Sequence, residues 1–496
     1  MERLQGGVRE LSEFVSTGIA AHAVAEKTFR GAVAIGVRQI VVQGSRILGG
    51  IFLARLLTPG EFGFYAIILY FQTFLTAFGD AGLAASLVRQ HEEPESVEYR
   101  AIFTVQQLFV LATSLVLWFV SPFIAACYHL PPHDAWMFRL VLLSFVATSF
   151  MVIPQVRMER HLAFDSLALI ESTQAIVFNF SAVYFAWRGW GGYSFAWALL
   201  LRSVLGAVLA NRISPWRIGW HWDWSIVRSH LSFGLAYQGM QVSSLLKDSI
   251  TPVLIGIMLG ATGVGYVTWA TVTAAYPALV LFVLQRLYMP AFARLQDHAA
   301  QLVALSENVI WATNVITAPL ATITLAMIVP ITVTVYGAKW LVALPYFYLL
   351  WPANLFVASA TPTLGLVNAL GKSKIAFNYA LIWMAGTWVI GAPLIWLYGP
   401  IGFPIANLIV QFSNLWLFRT GQRLVPFRLY SIILPVWGVA SVSGLLVYLA
   451  CRFYTPSSVP GVIVYGVLGL LLYIGGLYPL YGIRMRTAWK LLRAAE

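Results

Sequence analysis

The chain has 496 residues, of which 59% are hydrophobic, 15% aromatic and 10% charged, and its mean hydropathy is +0.78. An ordinary soluble domain carries about 25% charged residues, so that class is excluded. The formal net charge of +12 comes from 31 Lys and Arg against 19 Asp and Glu, and its meaning depends on where those charges fall.

The first thirty residues, MERLQGGVRELSEFVSTGIAAHAVAEKTFR, mix acids and bases and lack a compact apolar core beside a small-residue cleavage site. They read as an amphipathic helix on the membrane surface rather than a cleavable signal, the alternative being a frayed tail. About fourteen apolar segments follow, centred near residues 43, 76, 111, 144, 174, 201, 243, 275, 319, 355, 387, 409, 440 and 469. Their length suits helices of about 20 residues, whereas a transmembrane barrel would show alternating segments of roughly ten. Cys127 and Cys451 each end an apolar segment. Two cysteines make no disulfide framework, and both read as packing residues.

The first span, from Gly31 to Ala54, contains RQIVVQGSR. On a 100° helical wheel Gln39, Gln43 and Arg46 fall within about 60°, with Arg38 and Ser45 adjoining. An arginine at the centre of a membrane helix costs roughly 2.5–3.5 kcal/mol on insertion scales. It persists where it faces a partner or a watery cavity. Two readings stay open: a cationic cavity for an anionic substrate, or a structural pairing with Asp80 and snorkelling by Arg46. In the second span, FGDAGLAASLVRQ places Asp80 among glycines, where it positions an arginine, titrates during transport or bonds to loosened backbone. Glu171 in the fifth span is either a proton or cation site or a protonated group bonded to a neighbouring helix, with Arg202 of the sixth span as a balancing charge. The stretch SPWRIGWHWDW lies in the longest loop, roughly Asn211 to His230, and reads as an interfacial link between two halves. The seventh span carries Lys247 and Asp248 in QVSSLLKDSITP, open to a cavity role or to structural pairing. Arg286 ends the eighth span, either greeting a head group or serving as an ordinary inside-facing cation.

With the amino terminus in the cytoplasm and fourteen spans, the inside termini and loops hold 22 of the 31 Lys and Arg. They include Arg89, Arg100, Arg157, Arg160, Arg294, Lys372, Lys374, Arg419, Arg423 and Arg428. The outside loops hold Arg55, Arg139, Arg188, Lys339 and Arg452. That asymmetry follows the positive-inside rule, so both termini read as cytoplasmic and the net charge needs no nucleic-acid partner. Arg38, Arg46, Arg202 and Lys247 defy the rule by lying within spans.

The chain also repeats itself. LLTPGEFGFYA from Leu56 resembles MLGATGVGYVT from Met258, and Gly63 and Gly265 match 202 residues apart. HLAFDSLALI from His161 resembles KIAFNYALI from Lys374 with Phe164 on Phe377, and GGYSFAWAL resembles IGFPIANL with Gly192 on Gly402. A repeat of six spans enters the membrane from the same side twice, which predicts parallel lobes able to rock about a midplane site. Span seven is then the counterpart of span one, and each supplies a cation. The expected fold class is an all-α polytopic membrane protein of about 14 transmembrane helices, with two pseudo-symmetric six-helix lobes plus two C-terminal helices. The boundaries are a cytoplasmic or interfacial segment 1–30, an N-lobe 31–211, a linker 212–228, a C-lobe 229–420, and a final pair of spans with a basic tail over 421–496. No Walker loop and no Cys or His cluster at metal spacing appears in the sequence.

LARLLTPGEFGFYAI, FGDAGLAASLVRQ, the VRMERHLAF turn and LGATGVGYVTWA resemble the Wzx-type flippases of polysaccharide biosynthesis. These belong to the multidrug/oligosaccharidyl-lipid/polysaccharide exporter superfamily. The resemblance covers nearly the whole chain, most strongly residues 30–295, and leans toward the exopolysaccharide branch. It implies a carrier, not an enzyme, that moves undecaprenyl-pyrophosphate-linked oligosaccharide from the cytoplasmic to the periplasmic leaflet of the bacterial inner membrane. It implies alternating access through a cationic central cavity formed by Arg38, Arg46 and Lys247, with Gln39, Gln43, Arg202 and Arg286 as further candidates. Asp80, Glu171 and Asp248 are then ion-pair or cation-coupling candidates, with H+ or Na+ as the coupling ion and no other cofactor. Partners would be the lipid-linked oligosaccharide, membrane lipids, a polysaccharide polymerase and a chain-length regulator, with the chain itself a monomer. Two alternatives stay open: a drug or small-metabolite antiporter of the same superfamily, and a ligase or polymerase of polysaccharide assembly. The short outside loops disfavour the latter.

Overall fold

The structure is a computed structural model and describes residues 42–79, 82–90, 92–230, 245–246 and 248–493. All regular secondary structure among them is helical. The N-terminal thirty residues, Arg38, Gln39, Asp80 and Lys247 lie outside the described residues.

In chain order the helices are α1 (42–56), α2 (Pro59–Phe78), α3 (Leu83–Arg89), α4 (Ser96–Cys127), α5 (Ala135–Ser149), α6 (Val152–Arg160), α7 (Phe164–Trp187) and α8 (Tyr193–Ile213). After the linker come α9 (Gly256–Ala275), α10 (Val280–Arg294), α11 (Ala299–Ile331), α12 (Leu344–Leu350) and α13 (Ala353–Ala369). The chain ends with α14 (Ser373–Tyr398), α15 (Gly402–Gln411), α16 (Ser413–Leu424), α17 (Leu429–Phe453) and α18 (Val459–Arg493). Among the described residues nine helical stretches are long and apolar enough to cross a membrane, and a tenth arises from Ala338–Leu350 and Ala353–Ala369 across a 50° bend. One of the nine, Ser373–Leu424, contains α14, α15 and α16, with Gly399 at φ 68° between the first two. Another is interrupted at Gly260, whose φ of 70° and ψ of −176° suit a residue without a Cβ.

The chain gathers into two compact units. Of the described residues, one takes in those within 42–50, 71–125 and 131–230; the other takes in 51–70, 126–130 and those from 245 on. In the first unit α8 packs against α5 and α7. Lipid tails are as apolar as leucine, so helices there associate through small residues and hydrogen bonds. Accordingly α8 approaches α7 at Gly206, where a Cβ would overlap the Gln174 amide. Buried polar pairs tie the remaining helices: the Ser144 hydroxyl donates to Gln72 at 2.9 Å, and the Gln107 amide to Ser149 at 2.8 Å.

The linker is strapped to this unit by its backbone. Arg157 donates to the Pro215 carbonyl at 2.5 Å, Arg100 to Arg217 at 3.2 Å, and Thr104 accepts from the His221 N–H at 2.9 Å. Trp220, Trp222 and Trp224 remain exposed, and the last two stack with 15° between ring planes. Exposed indoles beside arginines suit a membrane interface.

In the second unit α2 begins with a capping box. The Glu61 carboxylate accepts from the Thr58 N–H at 2.8 Å and its hydroxyl at 2.9 Å, while Thr58 Oγ1 accepts from the Glu61 N–H at 3.3 Å. Pro59 at the first helical position loses no bond by lacking an N–H. The core beside it stacks Trp269 on Trp340, with ring centroids 5.4 Å apart and planes 17° apart, and sets Phe62 edge-on to Trp340 at 5.3 Å. Farther along, α17 meets α11 at Gly444, within 3.0–3.1 Å of Thr322 for an added Cβ. A buried network links Trp437 to Asn314 at 2.9 Å and Asn314 to Ser359 at 2.9 Å.

The repeat is visible in local geometry. Gly189 and Gly399, 210 residues apart, both adopt positive φ, 80° and 68°, in the turns that end α7 and α14. Cys127 and Cys451 are free thiols, the latter buried.

Candidate functional site

In the first unit, α1 presents Gln43, Ser45 and Arg46. Ser45 and Gly49 face α7: the Asn179 amide lies 3.4 Å from the Ser45 hydroxyl, and a Cβ on Gly49 would overlap the Asn179 carboxamide. That close approach leaves Arg46, about 100° round the helix, exposed from the protein. Gln43 keeps a buried Oε1 that accepts no hydrogen bond among the described residues. Glu171, Gln174 and Phe178 share a face of α7 at intervals of three and four residues. There Arg202 of α8 lays its guanidinium over the Phe178 ring at 5.9 Å, and Gln174 reaches toward the Arg202 carbonyl. The structure therefore gathers Ser45 and Asn179 between α1 and α7, and Arg202 with Phe178 between α7 and α8, while Gln43 lies on another face of α1. Arg286 sits on α10, but its side chain lies outside the described residues.

In the second unit the helix preceding α9 widens into a π turn over Ile250–Ile255, where Pro252 has no N–H to give. Such local widening recurs at functional sites. Asp248 lies just before it and lines a cleft of about 270 Å3 together with Tyr70, Thr251, Thr387 and Asn407. A second cavity of about 390 Å3 adjoins this cleft and shares Thr271, Trp383 and Asn407 with it. Carboxamides line the second cavity: Gln285, Asn354, Asn368, Asn407, Gln411 and Asn414. No Asp, Glu, Lys or Arg is in its lining among the described residues.

Three of those amides are chained. Tyr379 donates to Asn414 Oδ1 at 2.8 Å, Asn414 donates to Gln411 Oε1 at 3.0 Å, and Gln411 donates to Asn407 Oδ1 at 3.3 Å. Among the described residues the Asn407 NH2 ends the chain without donating a bond. This uncharged series is not among the candidates that charge within a membrane helix singles out. Its signal is the spacing of Asn407, Gln411 and Asn414 in NLIVQFSN, four and then three residues apart on one helical face. Among the described residues no group of three or more His, Cys, Asp or Glu side chains is placed to hold a metal ion.

Apolar helices long enough to span a bilayer, with polar clefts among them, define a polytopic α-helical membrane protein. The chain belongs to the polysaccharide biosynthesis protein family, whose model matches residues 52–345. It is similar to the lipopolysaccharide biosynthesis protein WzxC of Escherichia coli strain K12, at 22% identity over 466 residues, covering 90% of this chain and 88% of that protein. It is similar to the succinoglycan biosynthesis transport protein ExoT of Rhizobium meliloti strain 1021, at 26% identity over 345 residues, covering 66% and 67%. Its fold is shared with the lipid II flippase MurJ in an inward closed conformation, with a TM-score of 0.74 at 14% identity over 92% of this chain and all of that one.

Proposed function

We propose that this protein is a flippase that carries undecaprenyl-pyrophosphate-linked oligosaccharide from the cytoplasmic to the periplasmic leaflet of the bacterial inner membrane. The observation that carries the reading is the family match over more than half of the chain, together with relatives named for biosynthesis and transport of surface polysaccharides. Polar clefts inside a unit of apolar helices support a carrier.

The difficulty such a carrier solves is electrostatic. A bare pyrophosphate cannot enter hydrocarbon without losing its hydration, at a cost far above thermal energy. Guanidinium groups offer planar forks that match phosphate oxygens in pairs. In this reading Arg38, Arg46 and Lys247 supply the cationic wall, with Gln39, Gln43, Arg202 and Arg286 around it, while the lipid tail stays in the bilayer. The two six-helix lobes rock to open the head-group site to each side in turn. Asp80, Glu171 and Asp248 are the coupling candidates for H+ or Na+. Both termini lie in the cytoplasm, and a polymerase and chain-length regulator take up the product outside.

Depletion of the protein in producing cells is the direct test. Lipid-linked repeat units are expected to accumulate on the cytoplasmic face, and unaltered export of polysaccharide without accumulation would remove the proposal.

A further inference from the structure

The amide-lined cavity of the second unit has a chemistry distinct from a pyrophosphate site. Its polar lining consists of carboxamides, threonine hydroxyls and the tips of Tyr379 and Trp383, with no charged side chain among the described residues. A carboxamide offers donors and an acceptor at once, which matches a sugar hydroxyl, itself both donor and acceptor. An ion moved into such a place would lack a counter-charge in a low-dielectric interior, so the lining disfavours charged ligands.

Helix association explains only part of the series. Asn354 bonds the carbonyls of Ala274 and Trp351 at 2.9 Å each, and Asn414 is tied to Gln411 and Tyr379. Those amides join helices, as polar residues commonly do in membranes. The Asn407 NH2 and the carboxamides of Asn368 and Gln285 make no donor bond of this kind among the described residues, yet they line the same cavity. The rings of Tyr379 and Trp383, centroids 6.2 Å apart and tilted by 62°, add flat apolar faces of the sort that the C–H face of a pyranose covers. The volume of about 390 Å3 falls within the range of roughly 300–1,000 Å3 typical of ligand sites.

We propose that this cavity binds the uncharged, hydroxyl-rich sugars of the glycan, separately from the cationic groups that take the pyrophosphate. The assignment rests on the reading of the protein as a carrier of lipid-linked oligosaccharide. It places glycan selectivity in Asn368, Asn407 and Gln285 rather than in the arginines.

The test is equilibrium binding to the full chain in nanodiscs. The probe is the oligosaccharide released by mild acid from the producing cells' lipid-linked pool, free of lipid and phosphate, before and after reduction of its carboxyl groups to alcohols. Saturable binding is expected, with an affinity that changes less than about twofold between low and high salt because screening leaves neutral contacts untouched. Carboxyl reduction is expected not to weaken it. Asn407→Leu and, as a milder change, Asn368→Ala are each expected to weaken binding by about tenfold, the equivalent of one or two lost hydrogen bonds. If Asn407→Leu does not fold, Asn368→Ala decides. Absence of binding by the wild type, loss of binding in salt or on carboxyl reduction, or equal binding by folded variants would overturn the assignment. Translocation of the intact lipid-linked oligosaccharide is scored separately. Binding without translocation removes the carrier reading and leaves the cavity assignment standing, whereas translocation without binding removes the cavity assignment alone.

Discussion

Gly63 and Gly265 lie against each other at the point where the two copies of the internal repeat match. A Cβ on Gly63 would overlap the Ala261 carbonyl and the Gly265 nitrogen, and a Cβ on Gly265 would overlap the Pro59 carbonyl. Pro59 and Ala261 are themselves a matched pair at the 202-residue offset. Each helix thus presses its glycine onto the same carbonyl of the other, the reciprocal contact that a local two-fold axis produces. Gly60 and its own match, Thr262, meet beside that point, with Thr262 Oγ1 at 3.0 Å from an added Cβ.

Gly63→Ala and Gly265→Ala should therefore each destabilise the protein by about 1–3 kcal/mol or more, since the obstructing atoms are backbone and cannot rotate aside. Gly60→Ala meets only a side-chain hydroxyl and should cost well under about 1.5 kcal/mol. Thermal unfolding of the purified variants ranks them, and a Gly60→Ala defect as large as that of Gly63→Ala would refute the packing argument.

The last carbonyls of α1 have no helical partners, and residues nearly 300 positions away satisfy them. Lys339 donates to Arg55 O at 2.9 Å and Leu57 O at 2.5 Å, while the Trp340 indole donates to Ala54 O at 2.8 Å. Lys339→Met keeps the apolar stem and deletes the ammonium. A loss of about 1 kcal/mol is expected, reduced by partial exposure from the usual value for charge-assisted bonds. An unchanged melting temperature would mean that water replaces the ammonium at no cost.

Asn314 is fully buried and holds Trp437 and Ser359 together. Asn314→Leu has a similar volume but strands an indole N–H and a hydroxyl. Each stranded group costs about 1–3 kcal/mol, so a clear drop in thermal midpoint is expected. Adding Trp437→Phe should restore part of it, because the orphaned donor is then gone, and a double variant no more stable than the single one would contradict that cause.

The helical class and the long apolar stretches are legible because each rests on local pattern, and nine or ten of the fourteen expected spans stand out among the described residues. The TPGE sequence announces a capping box, and the glycine turns at Gly189 and Gly399 stand in matching positions. Repeat alignment gives correspondence but not contact, so nothing in the sequence says that Gly63 touches Gly265. The amide cavity is not legible in the sequence for a different reason. A charge in a membrane helix is conspicuous because it is costly, whereas Asn368, Asn407 and Gln411 are cheap enough to look like ordinary helix contacts. Of the charged candidates, Arg46, Glu171, Arg202 and Asp248 have described side chains, while Arg38, Asp80 and Lys247 lie outside the described residues.

Arg46→Lys keeps the charge but loses the planar fork, so it should retain partial transport where Arg46→Ala abolishes it. Wild-type activity of both variants in export of polysaccharide would mean that neither charge nor fork matters at this position.

The central claim is tested most directly with the purified protein in sealed vesicles loaded with lipid-linked oligosaccharide. The readout is the rate at which the glycan becomes accessible to a membrane-impermeant glycan-cleaving enzyme outside. The account predicts that the wild type accelerates exposure well above empty vesicles, and that Arg46→Ala and Lys247→Ala, reconstituted at equal density, fall at least about tenfold toward the background, the equivalent of about 1.4 kcal/mol of lost interaction. Exposure no faster with the wild type than without protein would contradict it.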